Sequence, residues 1–147
     1  MTTLVVVAQR AEARFFLHDG PGVGLAEIAD LVHPESRAHG MALETDRPGR
    51  VHERNGPTRH AMAPGETAKE HEATVFSKEV AEAILARRTH EGFDRLVLVA
   101  EPGFLGMLRG ALDGPTAAMV HGEVRKNLTK APVEQIAESI AHLFPIR

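Results

Sequence analysis

The segment 93–112, FDRLVLVAEPGFLGMLRGAL, places polar residues between two apolar patterns. A run of Val and Leu stops before Glu101, and beyond Gly103 the apolar residues return at helical spacing. This change of period predicts a strand that leads directly into a helix. Ligands of open α/β sheets bind at such junctions, where the free N–H groups of the helix carry partial positive charge. Arg109 follows about two turns into the helix, and we expect it to form an ion pair with Glu101.

The two glycines of this junction admit two interpretations. Gly103 and Gly106 allow close approach, either by an anionic ligand or by a neighbouring element of the fold. The sequence EPGFLG lacks the GK[ST] ending of a phosphate loop and the glycine spacing of a dinucleotide fingerprint. The structural interpretation is therefore favoured, with Gly106 packed closely on the sheet, and the binding interpretation stays open.

A second candidate site lies in the polar segment 44–60, ETDRPGRVHERNGPTRH. Arg47 and Arg50 carry guanidinium forks that suit phosphate or carboxylate. Asp46 and two neighbouring glutamates cancel most of this charge, which separates the segment from a basic nucleic-acid arm. A solvated loop with internal ion pairs is favoured over an anion-binding loop.

Metal binding and covalent catalysis have weaker support. Nine histidines are scattered along the chain without an HExxH motif or a tight pair at helical spacing. A folded loop would have to gather His33, His52 and His60 to make a metal site, and spacing does not predict this. No serine lies in a G-x-S-x-G motif. We expect no metal, no cofactor and no catalytic residue.

Length, charge and composition favour a one-domain protein without disulfides or a membrane segment. The 147 residues suit one domain, 1–147, and the net charge of −3 argues against bulk electrostatic binding to nucleic acid or to anionic membranes. There is no cysteine, which excludes disulfides and thiolate chemistry, and Trp and Tyr are also absent. We expect no signal peptide, no membrane insertion and a cytoplasmic location.

Strands and helices that alternate along the chain are predicted to position these candidate residues. Strands are predicted at 4–8, 12–18, 25–32, 96–100 and 116–120, with one stronger apolar face on the second. Helices are predicted from Glu70 to Gly92, from Pro102 to Gly114 and from Pro132 to before Pro145. A long polar loop, about 33–69, separates the two halves and includes one short strand near 50–53. The fold class is thus α/β, a layered mixed sheet with helices on its faces. An antiparallel meander comes first, followed by helix-strand-helix-strand-helix.

Motifs spread over nearly the whole chain resemble those of the bacterial host-attachment proteins. They are VVVAQRAEARFF, LETDRPGR, FSKEVAEAIL, LVLVAEPGFLGMLRGAL and VRKNLTKAPVEQIAESI. The matching positions are Arg14, Asp46, Gly49, Arg50, Leu105, Gly106, Arg109, Lys126 and Thr129. The sequence departs from the family pattern at Gln9 and Asn127, where aspartate is usual, so any role of those acids is in doubt here.

The resemblance implies a fold similar to the central domain of eukaryotic and archaeal peptide-release factors. Because the GGQ tripeptide of those factors is absent, peptide-release activity is not expected. We expect a non-catalytic binding or regulatory protein, whose binding residues would be Arg14, Asp46, Arg47, Arg50, Glu101, Gly103, Arg109 and Lys126. One alternative is a ribosome- or RNA-associated factor, and another is a small hydrolase using Glu101 or a loop histidine. The partner is unknown, and either a protein partner or a homodimer is compatible with the sequence.

Overall fold

A five-stranded sheet organises the chain, for which the computed structural model describes residues 1–20, 24–33 and 67–145. The strands are β1 Thr3–Ala8, β2 Glu12–His18, β3 Leu25–Val32, β4 Arg95–Val99 and β5 Val120–Val124. The helices are α1 Ala68–His90, α2 Pro102–Ala111, α3 Gly114–Ala117 and α4 Val133–Ile140, followed by a 3-10 turn at Ala141–Leu143. No helix in these three ranges is long and apolar enough to cross a membrane.

The strand order is β3-β2-β1-β4-β5. β2 is antiparallel to both β1 and β3, whereas β4 is parallel to both β1 and β5. The sheet is therefore mixed, as the alternation of elements predicted. In the parallel half, Val7 of β1 pairs with Val99 of β4, which pairs with Val124 of β5, so these three strands end at a common edge.

Helices cover both faces of the sheet. Leu4 and Val6 of β1 point towards the layer of α1 and α2, while Val5 and Val7 point towards the layer of α4. All residues of β1 are buried because both faces are covered, which explains its continuous apolar run. The α/β fold class is confirmed.

Strand β2 differs from its predicted single apolar face. Phe15 lies in the core beneath α1 and α2, whereas Phe16 lies in the core beneath α4. The register with β3 shifts between these two residues. Both aromatic rings are buried because helices cover both sides of the sheet.

Local capping explains where the structure departs from the other predicted boundaries. Helix α1 begins at Ala68 rather than Glu70, because Thr67 and Glu70 form a reciprocal capping box. The last predicted strand, 116–120, is wrong: Asp113 caps a short helix there, and β5 starts at Val120. For the same reason Gly114 begins α3 instead of ending α2. The predicted loop lies outside the described residues from 34 to 66, as does the short strand near 50–53.

Candidate binding surface at the carboxyl edge of the parallel strands

The carboxyl ends of β1, β4 and β5 bring three polar segments to one edge of the sheet. These segments are 9–11 after β1, 100–103 after β4 and 125–130 after β5. The backbone ties two of them together, since the amide of Ala100 donates to the carbonyl of Val124 at 3.0 Å. Ligands of open α/β sheets bind at this kind of edge.

Glu101 caps the helix that leaves this edge. Its carboxylate accepts a hydrogen bond from the backbone N–H of Phe104 at 2.9 Å, and Pro102 occupies the first turn of α2. The side chain therefore satisfies one of the free donors of the helix, in the way that shorter acids do at this position.

The predicted ion pair between Glu101 and Arg109 is wrong. Eight residues of helix separate the two positions by about 12 Å along the axis. Arg109 instead forms a fork with Glu123 of β5, with contacts of 2.8 and 2.9 Å. This bond raises the pKa of Arg109 and connects the last turn of α2 to the edge strand.

The two glycines of α2 have different surroundings. A Cβ on Gly103 would lie 3.2 Å from the Glu101 carboxylate and 3.9 Å from Nη2 of Arg10, so the Arg10 guanidinium lies beside the start of α2. Gly106 is exposed, and a Cβ there would meet no atom of the described residues within 4 Å. The predicted close packing of Gly106 on the sheet is therefore wrong, because this glycine lies on the outer side of the helix.

Arg14 holds the segment after β5 against the sheet. Its Nη1 donates to the carbonyls of Thr129 at 3.0 Å and Ala131 at 2.9 Å. Its Nε and Nη2 bind Glu27 of β3, and its guanidinium lies 5.0 Å from the centre of the Phe16 ring. The hydrogen bond with Arg14 lowers the pKa of Glu27. The donors of Arg14 are thus engaged within the fold, where they position the 125–130 segment.

Gln9 and Asn127, the two positions where the family resemblance leads us to expect aspartate, meet at one hydroxyl group. Gln9 Nε2 donates to Thr129 Oγ1 at 2.9 Å, and this hydroxyl donates to Asn127 Oδ1 at 2.8 Å. Two aspartates in these places would bring two negative charges to the same hydroxyl. The amides of Gln9 and Asn127 instead make this hydrogen-bonded centre neutral.

Three cations in the segments after β1 and β5 form the surface that we call the basic edge: Arg10, Arg125 and Lys126. All three are exposed, and none has an ion pair within the described parts of the chain. The nearby Lys130, by contrast, binds Glu12 at 2.7 Å. Lys126 also lines a shallow cleft of about 260 Å³ together with Gln135.

Neither Arg10 nor Arg125 was selected from the sequence. Arg10 lies in the β1–β2 turn, and Arg125 fell in a connection because β5 was predicted too early in the chain. A basic residue within two positions of the end of a strand is the signal that would have identified both.

The structure locates five of the eight predicted binding residues. Arg14, Glu101, Gly103 and Lys126 lie at or beside the carboxyl edge, whereas Arg109 bridges to β5. Asp46, Arg47 and Arg50 lie outside the described residues.

No group of three metal-binding side chains occurs within 1–20, 24–33 and 67–145. His33 is the one buried histidine at the start of the predicted loop, and it lies 3.5 Å from Glu79 and 3.9 Å from Glu72. His52 and His60 lie outside the described residues.

Comparison with known proteins places the chain in a family. Residues 4–140 match the family described as "Protein required for attachment to host cells". The chain belongs to the Host_attach family. No curated protein matches it.

Two archaeal structures have folds similar to that of this Host_attach chain. One is titled "Archaeal protein" and the other "Crystal structure of archaeal translation termination factor, aRF1". Each is 14% identical with a TM-score of 0.51, over 94% and 97% of this chain respectively. The Host_attach chain spans only 33% and 36% of their lengths. The resemblance to release factors is confirmed for the fold alone.

Proposed function

We propose that this Host_attach protein is a non-catalytic cytoplasmic binding protein that recognises an anionic partner through its basic edge. The observation that carries the proposal is the set of three exposed cations, Arg10, Arg125 and Lys126, which lack ion pairs within the described residues. Ion pairs occupy several other basic side chains of the fold, including Arg109 and Lys130. Cations held at one edge without internal partners favour an external one.

The groups around the basic edge favour binding over hydrolysis. Gln9, Thr129 and Asn127 form a neutral hydrogen-bonded chain, and Glu101 is engaged in capping α2. A general base would need a carboxylate or imidazole directed at the substrate. The amide and hydroxyl groups suit hydrogen bonds to a bound anion instead.

The leading candidate for the partner is RNA, alone or within the ribosome. The basic edge extends from the turn after β1 to the segment after β5, across two strand spacings, or about 10 Å. It is open to solvent and wider than one phosphate group, which suits a chain of phosphates. The similarity of the fold to that of a translation termination factor agrees with this alternative.

A salt titration of RNA binding tests the proposal. Fluorescence anisotropy with a labelled 20-nucleotide single-stranded RNA would compare the wild type with Arg125→Gln/Lys126→Gln. The matched control is Lys69→Gln/Lys78→Gln, which removes the same charge from exposed positions of α1. If both edge cations contact phosphates, the slope of log K against log salt should become shallower by about 1.4.

Three outcomes separate the alternatives. An equal loss in the control variant would mean that only net charge matters, which contradicts a specific edge. Undiminished RNA binding by the edge variant would overturn the proposal. For ribosomes, sedimentation of the native protein in a salt-sensitive manner is expected. Recovery only in the soluble fraction at low salt would exclude the ribosome and leave an anionic protein or metabolite as the candidate partner. Cell fractionation would check the cytoplasmic location.

A further inference from the structure

Phe144 lies at the opposite, amino edge of the parallel strands and contacts side chains from three strands. Its ring stacks on the imidazole of His18, with ring centres 4.1 Å apart. The Arg95 guanidinium carbon lies 5.0 Å from the ring centre, and the His121 imidazole lies at 5.5 Å. We call Phe144 with these three side chains the Phe144 latch.

The backbone next to Phe144 is held as closely as its ring. The carbonyl of Leu143 accepts a hydrogen bond of 2.7 Å from the ring nitrogen Nε2 of His121. The Leu143 side chain lies against Gly122, where an added Cβ would approach it to 2.5 Å. Phe144 is only 6% exposed and packs in the apolar cluster beneath α4. The segment Ala141–Phe144 therefore covers the start of β5 and the core behind it.

The register of the sheet places two basic side chains beside this ring. Thr3 of β1 pairs with His18 on one side and with Arg95 on the other, so the three side chains lie in one row on the same face. Arg95 Nε is buried and has no hydrogen-bond partner within residues 1–20, 24–33 and 67–145. A second positive charge at His18 would thus face a cation that is already poorly compensated.

The environment of His18 favours the neutral imidazole. Burial is the largest cause of its lowered pKa, and the charge of Arg95 adds to it, while Asp19 and a hydrogen bond oppose it. Among the described residues, Asp19 is the one carboxylate that acts on His18, and it accepts a hydrogen bond from the Thr2 hydroxyl. In addition, the N–H of Gly20 donates to His18 Nδ1 at 3.3 Å, which uses the lone pair that a proton would take.

We propose that the Phe144 latch is an acid-sensitive contact: protonation of His18 releases Ala141–Phe144 from the sheet and exposes an apolar surface around Phe144 and the start of β5. Protonation places a second cation beside Arg95 and removes the acceptor of the Gly20 N–H. The Phe144 ring then no longer stacks on a neutral imidazole, and the neighbouring contact of Leu143 with Gly122 weakens with it.

The direction of the pH effect follows from the lowered pKa. Released His18 takes a proton near its ordinary pKa of 6.5, whereas held His18 resists it. The latch is therefore fully closed above about pH 6.5 and weakens as the pH falls below that value. Between pH 7.5 and pH 5 the opening equilibrium can rise by at most about 30-fold, the limit reached if held His18 takes no proton.

Hydrogen exchange on the full-length protein tests the latch. We expect the amides of Ala141–Phe144, corrected for intrinsic rates, to open several-fold more at pH 5 than at pH 7.5. The amides of β1 should show no comparable change. NMR titration of His18 should show a pKa below its ordinary value of 6.5.

The variant His18→Phe keeps an aromatic stack without a titrating group and should abolish the pH dependence of opening. His90→Gln, a distant histidine on α1, should retain it. If His18→Phe does not fold, the hydrogen exchange and the His18 titration of the wild type still test the proposal. Opening that is independent of pH in the wild type, or a His18 pKa at or above 6.5, would overturn the proposal, as would unchanged pH dependence in folded His18→Phe.

Discussion

Replacement of Arg14 by Ala should destabilise the protein chiefly by freeing the segment after β5. Two hydrogen bonds from Arg14 to the carbonyls of Thr129 and Ala131 are lost, each charge-assisted and contributing about 1.5 kcal/mol. The contact with Phe16 adds about 0.5 kcal/mol. The pair with Glu27 adds less than about 1 kcal/mol because the Glu27 side chain is 35% exposed.

Water reaches part of this site and compensates some of the loss, so we expect a decrease of about 2–3 kcal/mol in the free energy of unfolding. Urea denaturation measures it directly, and a fall in melting temperature of roughly 6–9 °C should accompany it. Arg14→Lys should lose about half as much, since one ammonium group replaces a fork that serves three residues.

A double-mutant cycle with Glu27→Gln identifies which contacts matter. If the carbonyls of the 129–131 segment are the important partners, Arg14→Ala should cost nearly the same in the Glu27→Gln background. A loss that disappears in that background would show that Arg14 acts through Glu27, and the proposed positioning of the basic segment would be refuted. RNA binding by Arg14→Ala, measured below its melting transition, should also weaken if the segment carries the basic edge.

Five other substitutions probe the packing, the helix cap and the ion pair, and the two at glycines have opposite expected signs. Gly122→Ala should lower the free energy of unfolding by about 1–3 kcal/mol, because its Cβ would meet the Leu143 side chain at 2.5 Å. Gly106→Ala should raise it by about 0.5–1 kcal/mol, because a Cβ at this helix position has no atom of the described residues within 4 Å. Thermal denaturation that gave both variants the same sign would contradict the assigned packing. Glu101→Ala should cost about 1 kcal/mol through the lost helix cap while Glu101→Gln, which retains an acceptor, costs less in urea titrations; equal losses would argue against capping. The hydrogen bond with Arg14 lowers the pKa of Glu27, so the stabilisation from this pair is present above the ordinary pKa of about 4.5 and is lost as the pH falls through the lowered value. Glu27→Gln should therefore flatten the acid limb of the curve of unfolding free energy against pH. An unchanged limb would exclude this pair as a contributor.

The sequence predicts the parallel core because burial on both faces leaves a simple pattern. Strand β1 is a continuous apolar run, and α2 begins where Pro102 follows the end of β4. The position of β5 was not predictable from hydrophobicity, since residues 116–120 are as apolar as a short strand. The side chain of Asp113, with Pro115 behind it, redirects them into a helical turn.

The site was harder to predict than the fold because its contacts join distant parts of the chain. Arg14 lies about 115 residues from Thr129, and Gln9 lies about 120 residues from the same threonine. Spacing along the helix predicts a pair between Glu101 and Arg109, whereas in the structure Arg109 binds Glu123 on the neighbouring strand. Residue types therefore indicated which side chains carry charge, but only the register of the sheet decides which of them are neutralised.

The central position of β1 also has a consequence for how the protein folds. On one side β1 pairs with β2 across a three-residue turn, but on the other it pairs with β4, about 90 residues further along the chain. Closing the longer loop costs about 2 kcal/mol more in chain entropy than closing a loop of ten residues. The meander β1–β2–β3 should therefore form early, and the parallel half should join it late. Until then one side of β1 is an unpaired apolar edge, which can pair with another chain and promote aggregation during folding.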